Sequence, residues 1–122
     1  MNKEDLYNNG MKTRRSVLGN EHVDKAEANK TDFDKDFQEY ITNNAWGSVW
    51  SRAGLTKRER SLITIALMTA LGHEEELALH LRATKNTGAT TEDVKEVLLH
   101  TAVYAGVPAT NKAIKIAKEI LK

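Results

Sequence analysis

The sequence predicts an all-α protein, and three observations carry that prediction. Pro108 is the only proline and there are seven glycines in 122 residues, so few breaks interrupt the chain. Nowhere do β-branched and aromatic residues alternate with polar ones over the length of a strand. Thr56-Lys57-Arg58-Glu59 followed by an apolar run is the signature of a capped helix start. The length suits a single domain, 1–122, with a weaker helical segment over 1–28, and about six helices are expected.

Residues 3–18 are polar and weakly periodic, and Gly10 weakens their middle. Residues 29–45 begin with the capping types Asn29, Thr31 and Asp32 and carry Phe33, Phe37, Tyr40 and Ile41 at helical spacing. Residues 46–55 read as a short turn or loop holding Trp46 and Trp50. The capping box at Thr56 then starts a helix in which, over 62–71, only Thr64 and Thr69 are polar. A helix apolar on all sides must be covered on all sides. A domain this small buries only about two-thirds of its unfolded surface, so neighbouring subunits are expected to supply part of that cover.

Gly72 suits the left-handed residue that ends this helix. A further helix is expected over 74–85, stopped by Asn86-Thr87-Gly88. Thr90 or Thr91 caps the next, with Glu92 and Asp93 in its first turn, where the helix dipole favours anions. Its buried stripe is expected to be Val94, Val97, Leu98, Thr101, Ala102 and Ala105. Gly106 stops it and Pro108 suits the first turn of the last helix. That helix points Ala109, Ala113, Ile116, Ala117 and Ile120 inward and Lys112, Lys115, Lys118 and Lys122 outward.

Composition narrows the function. Apolar residues at 40% and charged ones at 29% fit a soluble globular protein, neither disordered nor membrane-spanning. Lys+Arg 18 against Asp+Glu 17 leaves a net charge of +1, so nucleic acid is not an expected partner. With no cysteine there is no disulfide, thiolate metal site or cysteine nucleophile. The first residues contain no apolar export segment, and the cytoplasm is the expected location.

The most suggestive segment for chemistry is His73-Glu74-Glu75-Glu76-Leu77-Ala78-Leu79-His80. On a helix His73, Glu76 and His80 share a face, and Glu76 and His80 form an i,i+4 pair. A carboxylate so placed orients an imidazole and raises its basicity, which suits a general acid or base near neutral pH. The plainer reading is a solvated acidic helix start. Two His and one Glu are also plausible ligands for Zn²⁺ or Fe²⁺, but three residues spread over two turns converge poorly on one ion, and no metal is expected.

Arg52, Arg58, Arg60 and Arg82 form a basic group that suits a small polyanionic acid, or else ordinary salt bridges and cap solvation. Trp46, Trp50 and Tyr104 are either pocket walls or packed aromatics.

The run from Trp50 to Ala66, WSRAGLTKRERSLITIA, resembles the carboxymuconolactone decarboxylase family. The resemblance continues through Ala70-Leu71-Gly72, Glu76-Leu77, His80-Leu81-Arg82-Ala83, Asn86-Thr87-Gly88 and Tyr104-Ala105-Gly106-Val107-Pro108-Ala109. It extends back to Phe33 and covers most of the chain. The alkylhydroperoxidase branch needs a Cys-x-x-Cys, and its two Cys positions are His73 and Glu76 here, so the decarboxylase branch is the one resembled.

The resemblance implies an all-α fold of the alkylhydroperoxidase-D-like type, assembled as a ring of identical subunits, typically a hexamer. It implies a lyase of aromatic (protocatechuate) catabolism in the β-ketoadipate pathway that converts 4-carboxymuconolactone to β-ketoadipate enol-lactone and CO₂ without a cofactor. Residue chemistry then nominates His80 as the acid, oriented by Glu76. Arg60 and Arg82, with Arg58, are candidates to hold the dicarboxylate lactone, and Trp46 and Tyr104 to wall its pocket. The competing expectation is a non-catalytic or differently specific helical oligomer of the same family that binds a small carboxylic acid.

Overall fold

Every element of the computed structural model, which describes residues 2–122, is a helix or a turn. The elements gather into two units, Met1–Leu55 and Thr56–Lys122.

In the first unit, Asn2 caps α1 (Lys3–Leu18) by accepting from the Asp5 amide at 2.8 Å. Its buried residues Gly10, Thr13, Arg14 and Val17 follow helical spacing and form one face. That face packs on a π-helix, Thr42–Trp50. Gly10 has a specific reason to be glycine, because a Cβ there would collide with the Thr42 carbonyl and crowd Gly47. The weak spot of the sequence is thus the point of closest helix approach. Gly19, at φ 91°, ends α1 and admits a short helix that the sequence pattern did not resolve, α2 (Asn20–Ala28). Arg15 ties the two by bonding Asp24 at 2.7 Å.

The helix expected over 29–45 and the loop expected over 46–55 are both redrawn. The Thr31 amide donates to the Asp34 carboxylate at 2.8 Å, so 30–34 closes into a turn before α3 (Lys35–Ile41) begins. From Thr42 the chain widens to i→i+5 bonding, with the Ser51 amide reaching the Trp46 carbonyl at 3.1 Å. The tryptophans therefore lie in a helix and only 51–55 is turn. Phe33, Phe37 and Tyr40, spaced as a core stripe, are exposed, Phe33 at 98%.

The second unit has four helices: α4 (Lys57–Leu71), α5 (Glu74–Thr87), α6 (Thr91–Ala105) and α7 (Val107–Ile120). Thr56 and Glu59 form the expected capping box, and Thr90 with Asp93 forms a second. Gly72 and Gly88 take the left-handed conformation at φ 74° and 86°, which ends α4 and α5.

The core is Ile65 from α4, Leu77 and Leu81 from α5, Val94 and Leu98 from α6, and Ala113 and Ala117 from α7. The expected stripes on α6 and α7 are largely the observed ones, although Ala105 is exposed. On α4, Ile63, Leu67 and Leu71 recur every four residues on one side and are exposed, at 47%, 51% and 63%. No helix among the described residues is long and apolar enough to cross a membrane.

Candidate functional site

Helix α5 positions the imidazole. Leu77, Leu81, Thr84 and Thr87 recur at helical spacing and are buried, and His80 lies on the same stripe. Only 7% of His80 is exposed, so the ring faces the helical core and not bulk water. Glu76, one turn earlier, is exposed. With His73, Glu74 and Glu75 it lines a hollow of about 260 Å³ at the start of α5. Here three glutamates occupy the first turn, where the unpaired amides and the helix dipole stabilise negative charge. The structure thus puts the carboxylate at the wet edge of the helix and the imidazole inside. Among the described residues, no three His, Asp or Glu side chains are grouped so as to hold a metal ion.

The arginines separate into distinct situations. Arg58 clamps Asp93 with two hydrogen bonds, Nε to Oδ2 at 2.8 Å and Nη2 to Oδ1 at 2.6 Å, joining the first turns of α4 and α6. Asp93 also accepts from the Thr90 amide. The Arg58 hydrogen bonds, aided by that amide, hold its carboxyl far below the usual carboxylate range. Arg58 in turn is raised by the same pair. A guanidinium engaged this way is a helix staple, and its fork is already filled.

Arg60 is half-buried on α4. Arg82 is exposed, because two residues beyond His80 is about 200° around the helix and so on the opposite side. Tyr104 is also exposed and leans on His100, with ring centroids 5.2 Å apart. Trp46 is buried in the first unit, 5.0 Å from the ring of Trp50.

The second unit also buries a set of hydroxyls, of which the sequence pattern placed only Thr101 on a buried stripe. Thr69, Thr84 and Thr101 each donate to a carbonyl of their own helix, at 2.8, 2.7 and 2.7 Å, and Thr110 donates to the carbonyl of Gly106, just before α7, at 3.1 Å. Ser61 is fully buried on α4, and among the described residues its hydroxyl has no hydrogen-bond partner. The available signal was a polar residue on an apolar stripe: 61, 65 and 69 follow one another down the buried side of α4.

Comparison with known proteins gives this geometry its context. The model of the carboxymuconolactone decarboxylase family matches residues 35–119. The chain is 49% identical over 122 residues to a 4-carboxymuconolactone decarboxylase of Acinetobacter baylyi, covering all of this chain and 91% of that one. It is 40% identical over 116 residues to a nitrosuccinic acid decarboxylase of Metarhizium robertsii, covering 95% and 81% of the two chains. A 4-carboxymuconolactone decarboxylase of Pseudomonas putida matches 47 residues at 45% identity, 38% of this chain and 98% of that one.

Proposed function

Since the chain belongs to the carboxymuconolactone decarboxylase family, we propose that it is a carboxy-lyase converting 4-carboxymuconolactone to β-ketoadipate enol-lactone and CO₂. The observation that carries this reading is the 49% identity to a decarboxylase of that name along the full length of the chain.

The substrate's own structure explains why such chemistry is within reach of these residue types. Its leaving carboxylate sits on the γ carbon of an unsaturated lactone. When the C–C bond breaks, the electron pair enters the ring as a furan-like dienolate, CO₂ departs, and one proton returns to the α carbon. The protein has to hold a dianion, stabilise charge growing on the lactone oxygen and supply that proton.

His80 is the proposed acid, since its burial on α5 keeps the ring out of bulk water. Glu76 is its proposed partner one turn away, and Arg60 and Arg82 are the proposed carboxylate-binding residues. Arg58 is left out of that role because Asp93 already fills its fork. Exposed Ile63, Leu67 and Leu71 support a homo-oligomer, for which the hexamer is our proposal, and the cytoplasm is the proposed location.

The fungal relative supports a second reading of specificity. Nitrosuccinic acid also carries a carboxylate beside a group that can take up the electrons left by CO₂, so the same machinery would serve an acid of that type. The experiment offers purified protein each acid in turn, follows loss of the lactone by ultraviolet absorbance, and measures released CO₂. Turnover of the lactone is expected to exceed that of nitrosuccinate. Turnover of neither, by protein shown to be folded, would overturn the proposal.

A further inference from the structure

Two apolar surfaces stand uncovered, and their chemistry is complementary. The first is the outer side of 33–40. Phe33, Phe37 and Tyr40 recur at helical spacing through α3 and the turn before it, and are 98%, 61% and 62% exposed. A lone exposed aromatic is ordinary, whereas three in succession mark a contact surface. Acidic side chains flank them. Asp32, Asp36 and Glu39 are exposed, Asp34 is turned to Thr31, and the one basic neighbour, Lys35, lies 3.6 Å from Asp32.

The second surface is a hollow of about 340 Å³ between α6 and α7. Val94, Leu98 and Ala117 form its buried floor, and Ile114 and Leu121 extend it along α7. Among the described residues, the charged side chains that line it are both cations, Lys95 and Lys118. Lys95 pairs only loosely with Glu92, at 3.8 Å, and Lys118 has no ion pair among the described residues. Length matches as well. At a rise of about 1.5 Å per residue, the lining runs about 10 Å along each helix, 91–98 and 114–121, and the stripe from 33 to 40 is similar in length. A short amphipathic helix seats an apolar stripe in such a groove, with its charges set against the rim. The groove calls for an apolar stripe bordered by acids, and the chain itself carries one.

We propose that the 33–40 stripe of one copy docks in the α6–α7 groove of a second copy, with Phe37 at its centre and Asp36 and Glu39 facing Lys95 and Lys118. Each copy offers a different surface to the contact, so its repetition builds a ring when the rotation closes. The inference rests on the homo-oligomer proposed above, but these surfaces are not the Ile63, Leu67 and Leu71 face of α4.

Charge reversal tests the pairing. Lys95→Glu with Lys118→Glu makes the groove acidic, and Asp36→Lys with Glu39→Lys makes the stripe basic. All four side chains are exposed, so both proteins should fold, as circular dichroism would record. Each alone sets like charges against each other and should weaken association at least about tenfold in sedimentation. Mixed in equal amounts, every stripe again meets a groove of opposite sign, and the wild-type particle size should return.

The absence of cysteine permits a positional test. Phe37→Cys and Ile114→Cys each introduce one thiol, at positions 61% and 40% exposed in the middle of the stripe and of the groove. Treated together with a bismaleimide, they should give a covalent dimer in clear excess over either alone, and every such link joins two chains. The proposal is overturned if the mixed charge variants stay dispersed, if each alone associates like wild type, or if the cysteine pair links no better than its components. Wild-type assembly without these effects sinks only this contact. A wild-type monomer sinks the homo-oligomer together with it, and neither result bears on lactone turnover.

Discussion

An imidazole is buried at position 80 because 77, 81 and 84 on the same stripe of α5 are buried, and a ring kept from bulk water is one whose proton can be directed. His80→Ala is expected to lower kcat by about 10²–10⁴, the usual worth of a positioned acid, with circular dichroism unchanged. Initial rates on the lactone provide the check, and near-normal turnover would remove His80 from the mechanism. Ser61 makes the opposite prediction. Its buried hydroxyl has no partner, so Ser61→Ala removes a desolvated polar group and should stabilise the protein by up to about 1 kcal/mol in urea unfolding. Of the candidate site, the inward placement of His80 follows from the apolar stripe of its own helix, whereas Glu76, paired with it by i,i+4 spacing, is exposed. The site was not legible where the partner is distant in sequence. Arg58 looked available for substrate because Asp93 lies 35 residues away.

At the scale of helices, the caps of α4 and α6 and the glycine stops were readable because each is settled within four residues. The π-helix was not, since i→i+5 bonding leaves no periodic sequence mark of its own and here depends on the meeting with α1. That meeting gives a sharp test. Gly10→Ala places a methyl against the Thr42 carbonyl and should cost about 1–3 kcal/mol, whereas an alanine in an unobstructed helix would help. Denaturant unfolding distinguishes the two.

The junction of α4 and α6 predicts a pH dependence. Because the folded Asp93 carboxyl titrates below its unfolded value of about 4, its stabilisation is complete above that value and drains away as the pH falls through and below it. Glu59, lowered by the amide and hydroxyl of Thr56, adds in the same direction. Asp93→Asn should therefore be less stable than wild type at pH 7, and the difference should narrow in acid, as melting temperatures across pH 2–7 would record.

For the molecule as a whole, the fold class was readable because helical periodicity runs through most of the chain and nothing competes with it. The arrangement into two units was not, since no proline- or glycine-rich linker marks 51–55. Expecting outside cover for the apolar run on α4 drew on its excess of apolar residues, and Ile63, Leu67 and Leu71 are the ones left in the open. If a second copy covers them, Leu67→Glu puts a charge into that contact, and sedimentation should show smaller particles than wild type. A wild-type monomer at micromolar concentration would refute the assembly. Those three side chains also bear on bench practice. Where subunits shield one another's oily surfaces, folded lifetime follows mass action, so stocks thinned to nanomolar strength should fade faster than concentrated ones, and rate per milligram would then depend on the order of mixing.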